Sequence, residues 1–351
     1  MSSTLIEMIK KRLTMKLTTT VRYIGAFIAA IISFSSFSHH AAADGLMPGN
    51  GIVIQPGQEN IDGENFQTII IIKALEQLGY DVKSVQHTRY PVLHVAIANG
   101  DITFMADHWN PLHQSFFNEA GGDDKLSRSG QYISGCAQGY LIDKKTADKY
   151  NITNIKQLTD PEIAKLFDAD NDGKADLAGC VPGWGCERVI EHQMDSFDLR
   201  STVTHNQGEY SAIIADTITR YKEGESILYY TWTPYWVSGV LVPERDVTWL
   251  EVPFSAHPNN VNTELKNGKN YGFEANTQMI IANKEFITKN PAAAKLFEVM
   301  KLSVNDISAQ NLIMKKEGEG GWEAAERHAD SWIKANQRTF DAWLNAARSA
   351  K

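Results

Sequence analysis

Apolar and polar positions alternate along this chain in two rhythms, and the switches between them mark out strand and helix units. After a short apolar run, "GIVIQPG" at 51–57, the stretch "ENFQTIIIIKALEQLGYDV" carries apolar residues at helical spacing up to Gly79, with a strand beyond it. "VLHVAIANGDITFMADHWNP" predicts a helix, a stop at Gly100, a strand over Ile102–Ala106, and then Trp109 close to Pro111. The middle of the chain repeats this plan. "KADLAGCVPGWGCERVIEHQMDSF" reads as strand, loop and helix; "SAIIADTITRYKEGESILYYTWTP" reads as helix, a stop at Gly224, a strand over Ile227–Tyr230, and Trp232 close to Pro234. Such alternation predicts βα units in mainly parallel sheets. The recurrence of Trp-x-Pro, "WNP" at 109–111 and "WTP" at 232–234, predicts two similar α/β lobes, with ligand bound beyond the carboxyl ends of their strands. Further on, "NPAAAKLFEVMKL" has Asn290 placed as an N-cap and Pro291 at the first helical position. The remainder reads as helices broken by glycine, closing over the first lobe, with Trp322, Trp332 and Trp343 as packing aromatics on amphipathic faces.

Composition sharpens this picture in two respects. With 351 residues the chain is longer than one hydrophobic core normally serves, which agrees with two lobes. Residues 1–43 read as a secretory leader: Lys10, Lys11, Arg12, Lys16 and Arg22 precede the apolar "IGAFIAAIISFSSF", and "AAA" before Asp44 predicts cleavage after Ala43, with Met15 as an alternative start. No other run approaches the ~20 apolar residues of a membrane span. The net charge is −8, and the leader carries five basic residues but one acid, so the mature chain is more acidic still. That balance argues against nucleic acid and against anionic membrane surfaces.

The candidate chemistry gathers where the regular spacing breaks. Trp109, Trp184 and Trp232 all stand near Pro or Gly at strand and loop ends. Around one cleft they would offer electron-rich faces to a cation poor in hydrogen-bond donors, at about 0.5–2 kcal/mol per ring, although a sugar-stacking site would use the same residue type. In "GCVPGWGCE", 179–187, the backbone N–H groups of Gly185 and Cys186 lie where a helix begins, a position that binds carboxylates. His113, four residues past Trp109, would add a donor. Together these describe a site for a small zwitterion. Cys180 and Cys186 flank a Pro-Gly turn and are expected to form a bridge, leaving Cys136 as a buried thiol; a zinc site would need a ligand spacing the sequence lacks. "DADNDGKAD", 168–176, places Asp168, Asp170, Asp172 and Asp176 as a calcium-loop candidate, but position 12 is Gly179 rather than Glu, and a polar turn is the preferred reading. A secreted enzyme is the rival from another class, and G-x-S-x-G, H-E-x-x-H and phosphate-loop motifs are all missing from the sequence.

The segments "ENFQTIIIIKALEQLGYDV", "WNPLH", "AQGYLIDKKTADKYNITNIKQL", "PEIAKLFDADNDGKADLAGC", "PGWGCE", "THNQGEYSAIIADTITRYKEG" and "YYTWTPYWVS" resemble the ProX-type periplasmic glycine betaine-binding proteins of osmoprotectant ABC transporters. The resemblance runs from about residue 51 to the C-terminus. It implies a type II periplasmic binding-protein fold with two hinge crossings, one lobe from 44–135 and 275–351 and the other from 136–274. It also implies a monomer without cofactor that takes glycine betaine or proline betaine and docks on a membrane permease. By motif, the trimethylammonium box of the family falls on Trp109, Trp184 and Trp232, its carboxylate donors on Gly185, Cys186 and His113, and its disulfide on Cys180 and Cys186. Choline and carnitine are the alternative ligands. The departures are Cys136, which looks extra, and Val181, where a polar residue is expected.

Overall fold

The computed structural model describes residues 47–318 and 320–351; the leader and its cleavage site after Ala43 lie outside the described residues. Its strands are β1 (Val53–Ile54), β2 (Gly57–Gln58), β3 (Asp81–Val82), β4 (Gln86–His87), β5 (Phe104–Asn110), β6 (Leu126–Asp143), β7 (Ala175–Ala178), β8 (Val203–Asn206), β9 (Leu228–Thr233), β10 (Val247–Trp249) and β11 (Asn276–Asn283). Helices follow the strands much as the apolar spacing predicts. Ile69 to Ile72 are buried on every side of the Asn65–Gln77 helix, so the β-branched run is helical because burial on all faces outweighs its strand preference. Gly100 and Gly224 end the Tyr90–Asn99 and Tyr210–Glu223 helices in the left-handed region, at φ 85° and 87°, where a side chain would be strained.

The parallel pairing expected of βα units holds for β7 with β8 and β9, for β1 with β3 and for β2 with β4. Around these pairs the main sheet is mixed, in the order β5-β11-β6-β9-β7-β8 with β10 beside β6. The physical reason is the 18-residue strand β6. As far as Cys136 it pairs antiparallel with β11, which also pairs antiparallel with β5; from Ala137 onward it pairs antiparallel with β9 and β10. Antiparallel pairing also lengthens two predicted strands. Gln278 faces Trp109 across β11 and β5, and Gln138 faces Trp232 across β6 and β9, so both tryptophans lie within strands rather than after them. The peptide bonds Asn110–Pro111 and Thr233–Pro234 are both cis.

The closing helices cover the Asn65–Gln77 helix. Trp332 meets Phe66 edge-on at 6.4 Å and stacks on Trp343 at 6.0 Å, and Lys73 pairs with Glu326 and Asp330. One local expectation changes. The Asn290 side chain does not cap the helix beginning at Pro291; it donates to the Phe286 carbonyl, because the Lys284–Lys289 helix ends immediately before it. Cys136 is buried where β6 changes partners, and burial pushes its thiol up to about 12, which keeps it protonated and unreactive. In the 168–176 turn, Asp168 accepts from the backbone of Asp172 and Gly173, Asp170 from Asp172, Asp172 from Lys174, and Asp176 from Ala169. The oxygens of Asp168, Asp170 and Asp176 still come within 4.8 Å of one another.

Candidate ligand-binding site

The ends of β5 and β9, the loop before the Gly185–Ser196 helix and the Asp62–Glu64 turn line one cavity. Trp109, His113, Trp184, Gly185, Cys186 and Trp232, singled out from the sequence, all line it. Trp184 and Trp232 meet edge-to-face at 5.5 Å, and Tyr235 stacks on Trp232 at 4.6 Å. Trp109 lines the same cavity; with the Gln278 amide oriented so that its oxygen faces the indole, Trp109 Nε1–H donates to that oxygen at 3.2 Å and the amide nitrogen donates to Asp107.

The loop bearing Trp184 is closed by the Cys180–Cys186 disulfide, with Cα atoms 6.0 Å apart. Within it Gly183 has φ 89°, and its N–H donates to Glu187 at 2.7 Å, which binds the turn to the helix it precedes. Gly185 is required for a different reason. A Cβ there would come within 2.8 Å of Leu112 Cγ and 3.2 Å of the His113 ring, so only glycine allows the helix start to press against the Trp109–His113 turn. The N–H groups of Gly185 and Cys186 occupy the helix's first turn and have no intrahelical acceptor. Val181 is buried, which accounts for an apolar residue at that loop position.

His113 is neutral. Burial, with His94 and His108 beside it, holds its pKa well below the usual histidine value. Its Nδ1 accepts from the Trp109 N–H at 3.3 Å, which leaves the ring proton on Nε2 as a donor. Behind it, His94 Nδ1 donates to the Tyr90 carbonyl at 2.6 Å, and His94 Nε2 therefore accepts from His108 Nδ1 at 2.9 Å. These three rings bring nitrogens within 4.8 Å of one another, and hydrogen bonds engage both nitrogens of His94 and the Nδ1 atoms of His108 and His113.

Sequence reasoning missed several members of the lining, among them Glu64, Tyr90, Gln138, Tyr230, Tyr235 and Gln278. Tyr90 lies 4.4 Å from the His113 ring and 6.0 Å from Trp184, centroid to centroid, and Tyr230 donates to Gln138 at 2.7 Å. Tyr235, in the "WTPYW" run that also holds Trp232, was the one with a local signal. Among the described residues, the lining contains no Lys or Arg. Arranged this way, aromatic faces suit a cation, while neutral donors at one end suit an anion that no cationic side chain neutralises.

Residues 53–335 match the family model described as the substrate binding domain of the ABC-type glycine betaine transport system. The chain is 57% identical over 312 residues to the glycine betaine-binding periplasmic protein OusX of Dickeya dadantii, covering 88% of this chain and 93% of that one. It is 54% identical over 325 residues to the glycine betaine/proline betaine-binding periplasmic protein of Escherichia coli, covering 92% and 96%. In fold it is similar to lactococcal OpuAC, crystallised closed with glycine betaine, with a TM-score of 0.63 at 20% identity over 84% of this chain and 99% of that one.

Proposed function

Since the chain belongs to the family of substrate-binding domains of ABC-type glycine betaine transport systems, we propose that it is a periplasmic receptor that captures glycine betaine and proline betaine and delivers them to a membrane permease. It is a binding protein, so no bond is made or broken. The observation that carries the reading is one cavity lined by Trp109, Trp184 and Trp232 together with the Gly185–Cys186 helix start and neutral His113. The trimethylammonium group lies against the indole faces, and the carboxylate takes the Gly185 and Cys186 N–H groups and His113 Nε2–H.

Residues 44–135 and 275–351 form one lobe and 136–274 the other. The partner change of β6 between Cys136 and Ala137, and the start of β11 at Asn276, support crossings at these points. Trp109 then belongs to one lobe, Trp184 and Trp232 to the other, so the box is complete only when the lobes close on ligand. The leader is removed after Ala43, and N-terminal sequencing of the exported protein should begin at Asp44.

Titration followed by intrinsic tryptophan fluorescence tests the function. Glycine betaine and proline betaine should give a saturable change and a thermal shift, and be recovered unaltered. Choline, which leaves the carboxylate donors unpaired, should respond far more weakly. Absence of any response to millimolar glycine betaine would refute the reading.

A further inference from the structure

Among the described residues, the lining holds a single carboxyl, that of Glu64, and no cationic side chain. Glu64 ends the Asp62–Glu64 turn that leads into the Asn65–Gln77 helix, and it is buried. One of its oxygens accepts from the Tyr90 hydroxyl; the other, Oε2, has no partner. The neighbouring acids are differently placed. Glu59 pairs with Arg89 at 3.2 Å and accepts from the Tyr90 N–H, and Asp107, behind the lining, accepts from Gln67 at 3.0 Å. Gly63, next in sequence to Glu64, lies against Tyr235, where a Cβ would come within 2.6 Å of the ring, and Tyr235 stacks on Trp232. Glu64 thus lies between the aromatic wall and Tyr90, and a buried carboxyl oxygen is unfavourable without a partner. Burial and nearby Asp107 raise its pKa well above the usual carboxylate value, so burial favours its neutral form and a cation beside it favours the ionised one.

Resting on the receptor reading above, we propose that Glu64 is a charge-selecting residue of the site: its carboxyl faces the ligand's quaternary ammonium group and, with the indoles, makes the cavity prefer a cationic head over an uncharged one of the same shape. A quaternary ammonium has no N–H to donate. Coulomb attraction from a desolvated carboxylate is therefore the polar contact open to it, and exclusion of water strengthens that attraction.

The test pairs glycine betaine with 3,3-dimethylbutanoate, in which a tert-butyl group replaces the trimethylammonium. E64Q keeps the side-chain shape and an oxygen for the Tyr90 hydroxyl. It should bind glycine betaine at least tenfold more weakly, hold 3,3-dimethylbutanoate as well as the wild type does, and melt at the same temperature or higher without ligand. E64D, which keeps the charge but withdraws it, should lose affinity by a smaller factor. Glycine betaine affinity of E64Q within twofold of wild type, or an equal loss for both ligands, would overturn the proposal. Should E64Q not fold, wild-type affinity in E64D would overturn it. A wild-type protein blind to glycine betaine would sink the receptor reading and this inference with it, whereas the other outcomes bear on Glu64 alone.

Discussion

Trp184 and Trp343 are each 6% exposed, so burial cannot tell a cavity-lining tryptophan from a packing one; their neighbours can. Trp184 keeps an unpartnered Nε1 and an edge-to-face contact with Trp232 at the cavity, while Trp343 stacks on Trp332 among the closing helices. Trp184→Ala should therefore weaken glycine betaine binding by at least ~1 kcal/mol with a modest change in melting temperature. Trp343→Ala should leave calorimetric affinity intact and destabilise by about 3–5 kcal/mol. Asp107 supplies a pH prediction. Burial raises its pKa from the usual 3.8 to about 7, so the folded state holds its proton longer than the unfolded state does. Its contribution to stability is greatest below pH 4 and is lost as pH rises towards 7. Asp107→Asn keeps an oxygen for Gln67 and removes that loss, so it should stabilise the protein more at pH 7.5 than at pH 5, by up to a few kcal/mol in urea titrations.

One element, the clipped loop with its helix, concentrates the local chemistry. The disulfide spans a short closed loop, for which the chain-entropy model gives roughly 2 kcal/mol of stability. On the proposed reading its larger effect is to hold Trp184 and the N–H groups of Gly185 and Cys186, which line the cavity, in place before ligand arrives. Reduction should accordingly lower betaine affinity by a larger factor than it lowers the folding equilibrium; unchanged affinity in the reduced protein would remove the preorganisation argument. This element was readable from "GCVPGWGCE" because its turn, glycines and helix start are all neighbours in sequence. The ends of β5 and β9 were not. Their last residues continue as strand because β11 and β6 pair with them, and the partners lie far away in the chain.

On the scale of the whole molecule, two arginines tie segment 136–274 to the rest. Arg188, on the Gly185–Ser196 helix, donates to Ser115 at 2.9 Å and Glu119 at 3.1 Å and lies over the Phe116 ring, while Arg89 joins Glu209 at 2.5 Å to buried Glu59. Partly exposed contacts of this kind contribute up to about 1 kcal/mol. Arg188→Ala should thus weaken betaine binding by roughly fivefold through a less stable closed state, with little change in the melting temperature of the ligand-free protein; equal affinity would exclude a closing role. The sequence by itself determined the α/β units, the glycine stops, the two Trp-x-Pro endings and the clipped loop, because each depends on residues a few positions apart. Only the tertiary structure decided that Glu64, Tyr90, Gln138 and Gln278 join them around one cavity, and that β6 changes partners at Cys136. Those are contacts between segments remote in sequence, set by how a mixed sheet and its covering helices bury a shared core, and no local periodicity carries them.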